Sequence, residues 1–129
     1  MSAETVWLVR TADGGVVCER CVVAASPLRR MRGLLGRTSL AAGEGILLKP
    51  ARSVHTFFMR FPIDVVFVDS QLAVVRIAAA LPPWRTAAER RASSVLELAA
   101  GECERRGVAV GDVLLVRATS EPGRSSPAP

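Results

Sequence analysis

The sequence has no tyrosine, one histidine (His55) and one lysine (Lys49). A single histidine excludes any site built on a pair of histidines. Nucleic-acid modules interleave their bases with exposed aromatic rings; here tyrosine is missing and the two tryptophans, Trp7 and Trp84, are isolated along the chain. The one lysine stands against 16 arginines among 17 basic residues. With abundant alanine, valine and glycine, this reads as the codon usage of a GC-rich genome rather than selection for a basic surface. The net charge of +5 and pI near 10.4 permit contact with nucleic acid or an anionic membrane without demanding either. No stretch approaches the ~18 apolar residues of a membrane span. The opening "MSAETVWLVR" carries neither a basic n-region nor a long apolar run, so no secretory signal is expected. Three cysteines cannot all pair within one chain. Free thiols and a cytoplasmic location are the expectation.

What is present fits one domain: 129 residues, half of them hydrophobic. Short apolar runs at residues 6–9 and 16–23 flank "TADGG" and predict a β-hairpin. "SPLRRMRGLLGR" changes the period: Ser26 suits an N-cap, Pro27 a first helical position, and Leu28, Met31 and Leu35 form an apolar stripe. A short helix is predicted there, ending at Gly36. Further strands are predicted at residues 46–49, 54–59, 64–68, 72–81, 94–98 and 113–116, with a turn or single helical twist at 101–107. Gly101, Gly107 and Gly111 are expected in turns that other residues would strain. The expected architecture is all-β, a mainly antiparallel barrel or jelly-roll-like sandwich with one short helix packed on the outside. Residues 1–118 form the domain and residues 119–129 a disordered tail.

Several residues invite a chemical reading. Cys18 and Cys21 form "CERC", a spacing shared with zinc and redox motifs. In a strand, however, an offset of three places them on opposite faces, and only Cys103 and His55 could complete a ligand set. A structural or incidental role is expected. Arg29, Arg30 and Arg37 could grip phosphates but read as a solvated helix face, while Arg32 sits at the edge of the apolar stripe and would seek a carboxylate.

The passage "HTFFMRFPIDVVFVDS", residues 55–70, holds all four phenylalanines. Burial of each large aromatic is worth roughly 1.5–3 kcal/mol, so Phe57, Phe58, Phe61 and Phe67 are expected at the heart of the core. A desolvated Asp64 would need an anchor, with Arg32, Arg52, Arg60 and His55 as candidates. Arg32, His55, Met59 and Asp64 are expected to edge a shallow cleft, with Glu97 and Asp112 in the same polar framework. The competing hydrolase reading makes His55 the base, Asp64 its orienter, and Thr56, Ser53 or water the nucleophile. It lacks a nucleophile elbow or any second motif.

The order of "RMRGLLGR" (30–37), "GEGILL" (43–48), "HTFFMRFPIDVVFVD" (55–69) and "ASSVLELAAGECERRGVAVGD" (92–112) resembles the DUF192 (UPF0127) family of small bacterial and archaeal domains. The resemblance implies a compact β domain and no established activity. It points to Arg32, Gly33, Met59, Asp64, Phe67, Glu97, Gly101, Gly111 and Asp112. Many members carry a signal peptide or lipid anchor, which is not expected from the N-terminal residues here. Relatives often place a tryptophan before the methionine and Asn-Thr after it, so a pocket lined by that tryptophan is not carried over. The resulting expectation is a non-catalytic accessory module for a small molecule or protein, with no cofactor or metal and with nucleic acid disfavoured. The alternatives are the hydrolase and weak nucleic-acid binding through the cluster from Arg29 to Arg37.

Overall fold

A computed structural model describes residues 4–24 and 39–118. The expected helix at 26–36, with Arg29, Arg30, Arg32 and Arg37, lies outside the described residues, as does the expected tail. The described strands are β1 (Glu4–Arg10), β2 (Val16–Ala24), β3 (Glu44–Leu48), β4 (Ser53–His55), β5 (Ile63–Val68), β6 (Val74–Leu81), β7 (Thr86–Ala88), β8 (Ser94–Ala99) and β9 (Leu114–Ala118). Among the described residues one short helix, α1 (Glu102–Arg106), precedes β9.

Seven strands form a mixed sheet in the order β6-β5-β8-β3-β2-β1-β9, and β4 pairs with β7 in a separate two-stranded sheet. Every pairing is antiparallel except β2 with β3. The large sheet rolls until its two edges meet at one corner. There Ala73 bridges Val113, Val74 N–H donates to Asp112 O at 2.8 Å, and Leu114 N–H donates to Leu72 O at 2.9 Å. Beyond that corner the edges part, so the fold is sandwich-like and not a closed barrel.

Two apolar clusters follow from the alternation of side chains across the sheet. Inside the roll lie Val6, Leu8, Val17, Leu47, Val66 and Leu96. On the other face of β3, β5 and β8 lie Ile46, Ile63, Val65, Phe67 and Val95, met by Val54 of β4 and Ala87 of β7. Because both faces of β5 are covered, all six of its residues are buried, and its sequence is a nearly unbroken apolar run.

Helix α1 is framed by Gly101 and Gly107, both at positive φ (91° and 70°), as the turn reading required. Its buried Glu102 accepts from Arg105 Nε (2.7 Å), Arg106 Nε (2.8 Å) and Gly43 N–H (3.3 Å). Arg106 also donates to Glu19 Oε1 and to Val16 O. The helix is thereby lashed to β2 and to the turn before β3.

Two expectations are corrected. The strand expected over 54–59 stops at His55, and residues 57–58 turn outward, with Phe58 at φ 68°. Phe61 and Phe67 are buried as expected, but Phe57 is 38% and Phe58 63% exposed. Two neighbouring aromatics in an extended chain would need cover on both sides, and this segment leaves the sheet instead. Cys18 and Cys21 do not lie on opposite faces. Val6 pairs with Cys21 and Leu8 with Cys18, so β2 carries an extra residue there, and this bulge turns both thiols inward.

Candidate functional site

Strand β4 ends at His55, and the chain then makes two tight loops held by Thr56. Its backbone N–H donates to Arg85 O (2.8 Å), and its carbonyl accepts from Trp84 N–H (2.9 Å) and Met59 N–H (3.2 Å). The buried hydroxyl donates to Pro82 O (2.6 Å) and accepts from Arg85 N–H (2.9 Å). Thr56 thus fastens the 57–59 loop to the 82–85 loop. Both loops carry an aromatic residue in the left-handed region, Phe58 and Trp84 (φ 65°). That region disfavours bulky side chains, and such strain is concentrated where surrounding structure enforces it.

The result is a surface aromatic cluster. The His55 and Phe57 rings lie 4.8 Å apart and 30° from parallel, and Phe57 and Trp84 stack at 5.7 Å and 27°. Phe58 tilts against Trp84 at 4.6 Å. Trp84 is 54% exposed, and it is not isolated, as linear spacing had suggested. Beside the rings lies a cleft of about 450 Å³, bordered by Pro50, Arg52, Ser53, His55, Phe57 and Thr86. Arg52 lines it, and Arg60 and Arg85, two residues after Phe58 and one after Trp84 in the chain, are exposed as well. Residues 50–62 and 80–88 include no carboxylate. The nearest in sequence, Glu89, is held by Arg91 at 2.8 Å, which draws its pKa down to about 2.

The residues expected to share one cleft are dispersed. His55 lines it, and Met59 is buried beneath in the cluster of Phe61 and Val65. Asp64 projects from the opposite face of β5, toward Cys103. Its Oδ1 accepts from Ala80 N–H (2.8 Å) and its Oδ2 from Cys103 N–H (2.9 Å) and Gly101 N–H (3.2 Å). Backbone amides, rather than an arginine, anchor this carboxylate. Its charge, together with burial as the larger cause, pushes the Cys103 thiol up to about 12. Glu97 is fully buried mid-strand in β8, flanked by Ile46 and Val65. Asp112 accepts from Ala109 N–H (2.9 Å) and faces Arg10 at 3.7 Å, closing a turn. Arg32 lies outside the described residues.

The His55–Asp64 pair of the hydrolase reading is therefore split across the sheet, and the Thr56 hydroxyl is committed to main-chain groups. The Cys18 and Cys21 thiols are buried and hydrogen-bonded to each other, which with desolvation pushes Cys21 upward; Cys18 Sγ also donates to Gly43 O at 3.3 Å. Among the described residues no group of three His, Cys, Asp or Glu side chains could hold a metal ion, and no helix is long and apolar enough to cross a membrane.

A model of DUF192, described as an uncharacterized ACR, matches residues 8–116. The chain belongs to the DUF192 family. No curated protein matches this DUF192 chain. It is similar to a crystal structure of a candidate transcription regulator from Sinorhizobium meliloti 1021, with 26% identity and a TM-score of 0.76, over 90% of this chain and 96% of that one. It is also similar to a protein of unknown function from Novosphingobium aromaticivorans DSM 12444, with 27% identity and a TM-score of 0.70, over 86% and 83% of the two chains. Of the positions the family resemblance marked, Asp64, Phe67, Glu97 and Asp112 all sit in sheet or turn framework. The surface rings Phe57, Phe58 and Trp84 were missed as site residues. Their signals in the sequence are the Phe-Phe doublet, which extended chain cannot bury on one face, and a tryptophan straight after Pro82-Pro83.

Proposed function

We propose that this DUF192 domain is a non-catalytic binding module whose site is the aromatic cluster and the adjoining cleft. The observation that carries the reading is the pair of exposed, left-handed aromatics, Phe58 and Trp84, held in place by the buried Thr56. A fold gains nothing by straining two large apolar side chains into solvent, and strain of this kind concentrates at ligand clamps. The separation of His55 from Asp64 supports binding over hydrolysis. The three buried, free cysteines support a reducing compartment, and we read the location as cytoplasmic.

A thermal-shift screen of metabolites, oligosaccharides, peptides and oligonucleotides tests the reading, run on the wild type and on a Phe58→Ser/Trp84→Ser double variant. Some ligand class should raise the wild-type melting temperature and leave the variant unmoved. Equal shifts in both proteins, or none in either, would remove the cluster as a site.

A further inference from the structure

We infer that the ligand of this site is single-stranded nucleic acid, an assignment that rests on the binding-module reading. Sequence spacing disfavoured such a partner partly because the tryptophans stand alone in the chain; the folded chain removes that ground for Trp84. Two features meet here. Phe57 stacks on Trp84, with His55 tilted against Phe57 and Phe58 tilted against Trp84. Every base has a flat face, so the ring area left open to solvent, on Phe58 and Trp84 above all, accepts bases without regard to sequence. Arg52 lines the adjoining cleft, Arg85 follows Trp84 directly, and Arg60 stands two residues after Phe58, all three exposed. Among the described residues, none of the three is paired with a carboxylate, and the Arg85 guanidinium bonds only the carbonyl of its neighbour Trp84. Stacking faces bordered by uncompensated guanidiniums match a polyanion whose rings are unstacked.

Other chemistries fit less well. A neutral sugar needs carboxylate or amide side chains for its hydroxyls, and residues 50–62 and 80–88 have no Asp, Glu, Asn or Gln. A bilayer calls for a convex apolar tip, whereas His55 and Phe57 border a concavity that also takes in Arg52. A duplex keeps its base faces covered and presents nothing for the rings to stack on.

The test uses the full chain carrying Trp7→Phe, which leaves Trp84 as its only tryptophan. Oligothymidylate and oligouridylate of about ten nucleotides should quench its emission. With three guanidiniums engaged, log K should fall against log salt with a slope of about −2 between about 50 and 200 mM. Phe57→Ala or Phe58→Ser should weaken binding about tenfold or more, and an Arg52→Gln/Arg60→Gln/Arg85→Gln variant should flatten the slope. Circular dichroism and the melting temperature confirm that each variant folds.

No quenching at millimolar oligonucleotide, affinity indifferent to the ring substitutions, or equal affinity for a free mononucleotide would overturn the assignment. Binding of phosphatidylglycerol vesicles in place of oligonucleotide would do the same. If oligonucleotides fail while another ligand still gives a Phe58- and Trp84-dependent thermal shift, only the nucleic-acid assignment falls. If no ligand gives such a shift, the module reading falls with it.

Discussion

Thr56 and Asp64 each gather three or more main-chain groups around one side chain, and they separate the two halves of the molecule's chemistry. Thr56→Val keeps the shape but deletes the hydroxyl bonds to Pro82 and Arg85, and should cost about 1–3 kcal/mol in urea unfolding. It should also loosen the 57–59 and 82–85 loops, seen as faster amide exchange there. Asp64→Ala strands the N–H groups of Ala80, Gly101 and Cys103 in the interior and should cost about 3 kcal/mol or more by the same measurement. Phe58→Gly should do the reverse: relief of the left-handed strain leaves stability unchanged or raises it by up to about 1 kcal/mol while ligand binding is lost. At this scale the sequence was half legible. That Asp64 needs an anchor follows from the cost of burying a charge. That amides supply it does not, since Gly101 and Cys103 approach β5 only after the chain has folded.

Among the elements, α1 and β3 carry the sharpest expectations. Burial pushes the Glu102 carboxyl up, but the guanidiniums of Arg105 and Arg106 and the N–H of Gly43 outweigh it, and its pKa lies below the ordinary 4.5. A carboxyl lowered in the folded state contributes stability that is complete above its unfolded pKa and is lost as pH falls through the folded one. Urea midpoints should therefore decline below about pH 4.5, and Glu102→Gln should flatten that decline. An unchanged acid limb would exclude this ion cluster as a source of stability. In β3, a Cβ on Gly45 would lie 2.8 Å from Cys18 Sγ and from Leu98 Cδ2. Gly45→Ala should cost about 1–3 kcal/mol by overpacking. Strand positions at 63–68 and 94–99 were readable because each is a largely apolar buried run between turn residues, and 16–24 because its apolar ends flank a turn sequence. The β2 bulge was not, because an extra residue preserves the apolar composition and changes only which thiols face inward. Strand β7 was missed because "TAA" has no β-branched or aromatic pattern beyond its threonine.

For the whole molecule, the fold class was legible and the wrapping was not. Frequent turns and short strands suffice for an all-β reading. The parallel alignment of β2 with β3 and the meeting of the sheet edges at Ala73 and Val113 are set by packing at long range. The surface cluster is a property of this scale too. Trp84 meets Phe57, close to His55 in the chain, only because β4 pairs with β7 and Thr56 fastens the two loops.

Among the described strands the last in the chain, β9, lies between the first, β1, and the corner formed with residues 72–74. The interior of the roll therefore has an open flank until residue 118 has left the ribosome. Leu114, Val6 and Leu8 cannot complete their shared contacts while synthesis is under way, and the most distant pairings along the chain are among the final ones to form. A nascent chain of this topology must wait, with greasy strands half covered, for residues 114–118 to arrive.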